Sequence, residues 1–368
     1  MNIYKKIIIA LIIIIFSYIF WRLLSKRKEI IQNSEPFSIF SDDITSNLNG
    51  LKDSTLKTKI ENLPEVYYQL PLMELCIKGS YNSAYTGKYI NIDMLTYQLS
   101  RGCRFFDFEV YYIQNKDSDI YSPQVGYSID SKKITLDSDN TLLLDNVLTA
   151  LTSNGFSAQN SPNFKDPIFV NLRIKSNNID VYSSVAKSID FSIKDKLYKT
   201  YEITKEGTIG KVTKTTPIGQ LMGKVVLCVD KTIDYQYKSY NNCGSKSTAC
   251  YDLKNYINIE SGSENMILNR YVNVYNQPNI QLLIKDNNIN SNVKTLNLVL
   301  PDMLPENAYN PKISDFVLNY GFQITPFKFY QTGDELYKYE LFFNDNKGGL
   351  VPLSTSIIYF RKLQEQNS

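Results

Sequence analysis

Short apolar runs alternate with stretches of helical periodicity from Tyr67 almost to the C-terminus. The runs are rich in Val, Ile, Phe and Tyr and are bounded by polar residues, which is typical of buried strands. They predict strands at residues 74–78, 105–112, 168–174, 225–229, 279–285, 322–327 and 357–361. Apolar positions with helical spacing predict helices at residues 92–101, 143–153 and 181–197. Strands that alternate with helices favour an α/β barrel or a doubly wound sheet.

The N-terminus carries an apolar run that is long enough for a membrane. Residues from Ile7 to Trp21 are mostly isoleucine and other apolar types, Leu23 and Leu24 extend the run, and lysines or arginines lie on both sides. A bilayer core needs about 20 residues, so residues 1–24 predict a single-pass transmembrane anchor. No small-x-small cleavage motif follows, which favours an anchor over a cleaved signal peptide. The larger positive charge on the C-terminal side favours a main domain that faces the cytosol.

The rest of the chain is divided by its composition. The polar, non-periodic residues 25–65 predict a linker and residues 361–368 a tail, which leaves one large domain at residues 66–360. The chain has 368 residues, of which 43% are apolar, so it is long enough to bury a sizeable core. Its net charge of +3 gives no reason to expect a nucleic-acid partner. Abundant Asn, Ile, Lys and Tyr are typical of AT-rich genomes such as those of large DNA viruses, which is compatible with a viral membrane.

Histidine is absent from the whole sequence. This excludes nucleophiles activated by histidine, histidine-bound zinc and two-histidine phosphodiester chemistry. Glycine-rich phosphate loops and dinucleotide fingerprints are also absent. The five cysteines show no metal-ligand spacing. Cys243 and Cys250 bracket a polar loop, and they either form a short disulfide, which would favour an oxidising compartment, or remain free thiols.

Several motifs follow one another in a fixed order. LCIKGSYNSAY at residues 75–85 ends the first predicted strand, and LSRGCRFFDFEV at residues 99–110 leads into the second. The next motifs are SPQVGYS at residues 122–128, LDNVL at 144–148, DPIFVNLRI at 166–174 and LMGKVVL at 221–227. The C-terminal half contains NAYNP at residues 307–311, GFQ at 321–323, YQTG at 330–333 and NDNKGGLVP at 344–352. Each motif is weak alone, but the common order is a specific signal.

This series resembles the X and Y regions of the phosphoinositide-specific phospholipase C family. The X-like part covers about residues 70–231 and the Y-like part about residues 279–354. The resemblance implies a distorted TIM-type (β/α)8 barrel of the phospholipase-C-like phosphodiesterase kind, preceded by the N-terminal transmembrane helix. Site residues of such a barrel lie at the C-terminal ends of its strands.

The resemblance also implies that the catalytic residues have been lost. In the family, two histidines act as acid and base on an inositol phosphodiester, and oxygen ligands hold a calcium ion. The matching histidine positions hold Tyr81 and Tyr127 (or Gly126 if the short loop slips). A tyrosine with its ordinary pKa of about 10 is a poor proton shuttle near neutral pH. No catalytic residue is therefore expected to be intact.

The implied calcium ligands are also changed. Three positions keep oxygen-bearing side chains, Asn82, Asp107 and Glu109, whereas the fourth is Arg173. At about 4 Å and an effective dielectric constant of about 20, one pair of unit charges interacts by roughly 4 kcal/mol, so a guanidinium opposes a dication. We therefore expect no cofactor, with calcium only if the protein is active, and a guanidinium that pairs with the two acids. A merely structural salt bridge is an equally good interpretation of those acids.

Two further sets of positions bear on ligand recognition. Tyr309 is a candidate for the family's Y-region tyrosine, which packs against the inositol ring. The family's phosphate-binding lysines and arginine fall at about Cys228, Asp230 and Leu298, none of which is basic. Recognition of a polyphosphorylated headgroup is therefore in doubt.

These positions lead to three functional hypotheses. The first is a membrane-anchored phospholipase-C-like pseudoenzyme that acts in binding or structure, with a phosphoinositide headgroup or a protein as its partner. The alternative is a divergent phosphoric diester hydrolase that acts on phosphoinositides or related lipids. The third is a purely structural membrane or virion protein, since a fold does not fix a function.

Overall fold

The computed structural model describes residues 18, 41–52, 56–115, 119–129, 136–200, 208–241, 243, 250–276, 284–285, 288–289, 294–301 and 309–367. The predicted anchor at residues 1–24 lies outside this set except for Tyr18. Within the described part of the chain, no helix is long and apolar enough to cross a membrane. The chain forms two compact units, Met1–Asn47 and Leu48–Ser368, and the candidate site lies in the second.

The strands of the described residues are mostly short. In chain order they are β1 (Leu75–Ile77), β2 (Gly79–Ser80), β3 (Phe105–Gln114), β4 (Tyr121–Gly126), β5 (Leu142–Leu143), β6 (Ile168–Lys175), β7 (Lys199–Thr200), β8 (Thr208–Ile209), β9 (Val225–Asp230), β10 (Ile259–Ser261), β11 (Ile267–Arg270), β12 (Ile284–Lys285), β13 (Asn288–Ile289), β14 (Asn297–Leu300) and β15 (Leu350–Pro352).

The longest strands form the centre of a seven-stranded sheet with the order β10-β9-β6-β3-β4-β5, in which β2 pairs with the start of β3. Strands β2, β3, β6, β9 and β10 run parallel, whereas β4 pairs antiparallel with the outer half of β3. Every residue of β6 is buried. This is expected for a parallel strand, because such sheets are covered on both faces.

Further parallel contacts extend the sheet into an incomplete ring. Strand β11 pairs with β14, and isolated parallel bridges join Leu298 to Ile324, Ile324 to Ile77 and Ser80 to Phe327. Within the described residues no ladder joins β10 to β11. The described residues therefore form a mixed α/β fold whose parallel strands make a ring that is open at this point, and no closed barrel is found among them.

Side-chain alternation along the strands separates two hydrophobic cores. Phe105 and Phe169 pack inside the ring with Ile77 and Leu298. Side chains of the opposite face pack outward in the larger core, which also contains the buried faces of the helices. The ring interior is thus a packed core. Polar residues near the C-terminal ends of its strands lie next to these apolar side chains.

The helices are α1 (Ser41–Leu51), α2 (Ile92–Ser100), α3 (Leu144–Gly155), α4 (Asp180–Ser192), α5 (Tyr271–Asn276), α6 (Ile313–Asp315), α7 (Asp334–Asp345) and α8 (Leu353–Asn367). Short 3-10 helices cover Glu65–Tyr67, Leu72–Glu74, Ile218–Leu221, Tyr237–Ser239 and Leu253–Asn255, and a π-helix covers Phe316–Tyr320. Helices α2, α3 and α4 lie where the sequence predicts them, although α4 ends at Ser192 and not at residue 197.

The predicted strands are found with one clear error. Those at residues 74–78, 105–112, 168–174 and 225–229 correspond to β1, β3, β6 and β9. The one at residues 322–327 is reduced to isolated bridges, and the one at 279–285 lies outside the described residues except for β12. The strand predicted at residues 357–361 is wrong, because α8 covers it. Leu353, Ile357 and Phe360 have helical spacing and all pack on the outer core, which outweighs the β-propensity of the isoleucines.

The end of the segment predicted as a linker belongs to the second unit and is packed within it. Ile60 and Leu63 are buried, and the N–H of Glu61 donates to the carbonyl of Lys347 at 2.9 Å. Gly102 has a φ of 81°, and a Cβ there would lie 2.5 Å from Ile60 Cδ1, so Ile60 occupies space that only glycine leaves. The folded unit therefore begins before residue 66.

The cysteines fall into two groups. Cys243 and Cys250 are joined by a disulfide, which is one of the two alternatives left open by the sequence. Cys76, Cys103 and Cys228 are buried free thiols. Burial raises the pKa of Cys76 and Cys103 to about 12, so neither is a ready nucleophile.

Candidate functional site

Polar side chains line the inner face of β3 and β6 near the C-terminal ends of these strands. The strand register places Asp107 beside Asn171 and Glu109 beside Arg173. Because side chains alternate along a strand, all four lie on the same face as Phe105, inside the ring. All four are completely buried. The sheet register itself therefore brings two acids and a guanidinium together in a space without water contact.

Arg173 is the centre of this network. Its Nη2 lies 2.6 Å from Asp107 Oδ2, its Nη1 lies 2.7 Å from Glu109 Oε1, and its Nε lies 3.0 Å from Asp107 Oδ1. Nη2 also donates to Asn82 Oδ1 at 2.6 Å. Burial acts to lower the pKa of Arg173, but the charges of Asp107 and Glu109 outweigh it and raise this pKa well above its ordinary value. The guanidinium is permanently charged and fully engaged.

Glu109 binds three further donors besides Arg173. Lys175 Nζ lies 2.9 Å from Oε1, and Oε2 accepts hydrogen bonds from Tyr111 Oη at 2.6 Å and from the Ser128 N–H at 2.9 Å. Burial acts to raise the pKa of Glu109, but Arg173 and Lys175 outweigh burial, so this pKa lies below its ordinary value. Glu109 is thus an ionised acceptor held by four donors.

Asp107 and Asn82 complete the network. Asn171 Nδ2 donates to Asp107 Oδ1 at 2.8 Å, and the Asn82 N–H donates to Asp107 Oδ2 at 3.3 Å. Asn171 is held in turn by Ser261 Oγ on β10, which donates to its amide oxygen at 3.0 Å. Asn82 has a φ of 45°, a left-handed conformation that asparagine tolerates better than most residues. This local turn brings both its N–H and its side chain to the cluster.

Aromatic rings cover the network. Tyr81 is buried, and its ring centroid lies 4.6 Å from the Arg173 guanidinium carbon, which is a cation–π contact. The Tyr127 ring stacks on Tyr85 with centroids 3.9 Å apart, and Tyr330 contacts Tyr85 edge-on at 4.9 Å. Burial raises the pKa of Tyr81 and of Tyr127 above their ordinary values. Neither hydroxyl can exchange protons near neutral pH in the way that an imidazole does.

The residues present do not fit a calcium ion. Calcium needs six to eight oxygen ligands at about 2.3–2.6 Å. The side-chain oxygens of Asn82, Asp107 and Glu109 that face Arg173 accept its N–H groups at 2.6–3.1 Å. Two carboxylates are balanced by Arg173 and Lys175, so the cluster has no excess negative charge for a dication. Among the described residues, no group of three or more His, Cys, Asp or Glu side chains is arranged to hold a metal.

The other sequence-predicted positions lie apart from this network. Tyr309 is 83% exposed, and the hydrogen bonds, ion pairs and ring contacts of the cluster among the described residues do not include it. Cys228 and Leu298 are part of the apolar core inside the ring. Asp230 accepts hydrogen bonds from the backbone and hydroxyl of Thr232 at 2.9 and 2.6 Å. These positions supply no cation for a phosphate.

Sequence reasoning missed four members of the network: Lys175, Asn171, Tyr111 and Ser128. A signal for three of them was present. Asn171, Arg173 and Lys175 occupy alternate positions of one apolar strand and so share a face. Tyr111 continues the alternation of Asp107 and Glu109 on β3 in the same way. The backbone contact of Ser128 depends on how the chain turns after β4, for which the sequence contains no signal.

The comparisons with known proteins give information about the fold only. The sequence matches no protein-family model and no curated protein. The structure is similar to the crystal structure of PLC21 from L. pealei, with a TM-score of 0.53 and 14% identity, over 77% of this chain and 37% of that chain. PLC21 from S. officinalis gives a TM-score of 0.53 and 12% identity, over 84% of this chain and 40% of that chain.

A calcium-dependent phosphoinositol-specific phospholipase C from a Pseudomonas species has a TM-score of 0.43 and 9% identity, over 79% of this chain and 97% of that chain. The chain corresponds to about two fifths of the length of the two PLC21 proteins. At the level of the fold, this chain is therefore similar to the two PLC21 structures.

Proposed function

We propose that this chain is a phospholipase-C-like domain without hydrolytic activity, which acts at a membrane through binding or as a structural component. The observation that carries the proposal is the position of Arg173. Its guanidinium lies between Asp107 and Glu109 and donates to both oxygens of Asp107 and to one oxygen of Glu109. A catalytic cation cannot share this space, because the guanidinium, together with Lys175, already neutralises the two acids and cannot lose its proton.

The state of the remaining titratable groups supports the same proposal. Acid–base catalysis needs a group whose pKa lies near the working pH and which can reach the substrate. The pKa of Tyr81 is raised by burial, and Glu109 is an ionised carboxylate without solvent exposure. Burial lowers the pKa of Lys175, but its ammonium is bound to Glu109. None of these groups is both free and accessible.

The aromatic rings support a binding or structural role over turnover. The resemblance to phospholipase C assigns its two histidine positions to Tyr81 and Tyr127, and the rings of Tyr85 and Tyr330 contact that of Tyr127. Their contacts with one another and with Arg173 fill this end of the ring with protein atoms. A partner is then more readily bound on an outer surface, as a protein or as a phosphoinositide headgroup.

Membrane attachment is proposed from the apolar segment at residues 1–24. Two arguments about the orientation of the domain oppose each other. The basic flank after the segment favours the cytosolic side, whereas the Cys243–Cys250 disulfide is typical of an oxidising compartment. Protease protection of the full chain in sealed vesicles decides between them, since only an outward-facing domain is digested without detergent.

The function is tested with the full chain in detergent micelles, assayed for hydrolysis of phosphatidylinositol and of its bisphosphate, with calcium or with chelator. We expect release of the headgroup at the rate of a protein-free blank under both conditions. Calcium-dependent turnover that is lost in Asp107→Asn or Glu109→Gln, but kept in the surface variant Glu335→Gln, would overturn the proposal. It would instead establish the divergent hydrolase.

A further inference from the structure

A polar cavity lies outside the ring, on the other face of β10 from the Arg173 network. Ser261 points into the ring, where its Oγ donates to Asn171. Because side chains alternate, the preceding residue Glu260 points outward. There it helps to line a cavity of about 770 Å³. The charged residues of its wall are Lys211, Lys231, Lys238, Lys254, Glu260 and Glu264.

The charges of this wall do not cancel. Four lysines face two glutamates, and since Asp252 behind the wall pairs with one of these lysines, an excess of one positive charge remains. Lys238 Nζ pairs with Glu260 Oε2 at 2.8 Å, and Lys254 Nζ pairs with Asp252 Oδ2 at 2.9 Å. Lys211 and Lys231 form no salt bridge within the described part of the chain. Lys211 Nζ instead donates to a backbone carbonyl, that of Ile257, at 2.9 Å.

Lys211 and Lys231 are therefore the ammonium groups that a ligand can engage. Burial and the nearby charge of Lys238 lower the pKa of Lys211, whereas Glu260 acts in the opposite direction. Lys211 thus lies in the repulsive field of Lys238. An anion bound by Lys211 and Lys231 would relieve this repulsion and accept hydrogen bonds from both amines.

We propose that this cavity binds a small organic anion with one or two phosphate groups, held by Lys211 and Lys231. Lysine binds phosphate as a compact point charge with several donors. The volume lies within the range of about 300–1,000 Å³ that is usual for small-molecule sites, so a ligand larger than inorganic phosphate fits. The site is separate from the Arg173 network, and binding there requires no catalysis.

Calorimetry of the full chain in detergent at low ionic strength tests the site, with pyrophosphate as the probe. Each charge-assisted hydrogen bond contributes about 1.5–3 kcal/mol, so Lys211→Gln/Lys231→Gln should weaken binding by at least about tenfold. The matched control is Lys187→Gln/Lys362→Gln, which removes two exposed lysines outside the cavity. It should bind within about twofold of the wild type. No binding at millimolar pyrophosphate, or equal weakening in both double variants, would overturn the proposal.

A substitution that should strengthen pyrophosphate binding separates the effect of the wall's charge from the effect of misfolding. Glu260→Gln removes a negative charge from the wall and releases Lys238, so it should tighten pyrophosphate binding severalfold. Unchanged or weaker binding in a variant that keeps the wild-type circular dichroism spectrum would contradict the site. Inositol bisphosphate and a short-chain phosphatidylinositol monophosphate with the same headgroup then identify the source of the phosphate. Equal affinity assigns a free organic phosphate, and tighter binding of the lipid assigns a headgroup.

Discussion

Arg173 and Asp107 form a bidentate pair in which Nη2 lies 2.6 Å from Oδ2, Nε lies 3.0 Å from Oδ1, and neither side chain is exposed. Desolvation of two charges is costly, and an ion pair offsets this cost only when its geometry is good and the remaining polar atoms have partners. Both conditions hold, because Asn82 and Asn171 bind the remaining positions. The stability of the fold should therefore fall when either residue of the pair is replaced.

Arg173→Met should destabilise the fold by about 3–5 kcal/mol, because it leaves the buried Asp107 without a cationic partner and leaves Glu109 paired with Lys175 alone. Urea unfolding of the full chain in detergent, followed by circular dichroism, measures the change in the free energy of unfolding. The control is Lys338→Met, which removes an exposed partner of Glu335 and should cost no more than about 1 kcal/mol. Equal effects of the two substitutions would show that the Arg173 network contributes no more than a surface pair.

Calcium should not stabilise the wild-type protein. A ligand that binds only the folded state raises the melting temperature, and by more the more tightly it binds. The oxygens that a calcium ion would need are bound to Arg173. Thermal melts with millimolar calcium and with chelator should therefore coincide. Magnesium at the same concentration is the control for non-specific effects of a dication. A rise of several degrees with calcium alone, abolished by Asp107→Asn, would contradict this prediction.

The sequence predicts the strands that carry the site better than it predicts the contacts between the side chains of the site. Strands β3, β6 and β9 are long, apolar and rich in β-branched or aromatic residues, so their pattern is unambiguous. The pairing of Arg173 with the acids depends on the parallel register of β3 and β6, which no local pattern contains. The aromatic group around Tyr127 depends on three separate loops, and the cavity beside β10 on segments far apart in sequence. Tertiary packing decides such features, and local propensity does not.

Glu340 on α7 should be as important to stability as Arg173. Its Oε1 lies 2.7 Å from Arg101 Nε and 3.4 Å from Lys78 Nζ, and all three side chains are buried. Glu340→Ala leaves two buried cations unpaired, so we expect a loss of about 3–5 kcal/mol in urea unfolding.

The matched control on the same helix is Glu335→Ala, which breaks only the exposed pair with Lys338. It should change the free energy of unfolding by no more than about 1 kcal/mol. If Glu340→Ala lowers the free energy of unfolding no more than this control does, Lys78 does not need Glu340. Its hydrogen bond to the carbonyl of Arg101, at 2.7 Å, is then sufficient.

Asp166 should make the fold less stable as the pH rises through the weakly acidic range. Burial raises its pKa to about 6, against the opposing effects of Arg104, the Leu63 N–H and Asn163. The folded state then binds a proton that the unfolded state, with an ordinary pKa of about 3.9, has already lost. The contribution of this carboxyl to stability is therefore greatest below pH about 4 and is lost by pH about 6, a change of up to about 3 kcal/mol for a shift of about two pKa units.

The variant Asp166→Asn isolates this effect, because an amide does not titrate. The free energy of unfolding of the wild type, relative to that of the variant, should fall between pH 4 and pH 6 and stay constant above that range. Measuring the difference at each pH removes the cost of the altered hydrogen bonds to Leu63 and Asn163, since that cost does not depend on pH. Asp195→Asn, at an exposed position, controls for the loss of one negative charge. A relative stability that rises with pH, or the same slope in both variants, would mean that Asp166 is ionised throughout and that Arg104 is its effective partner.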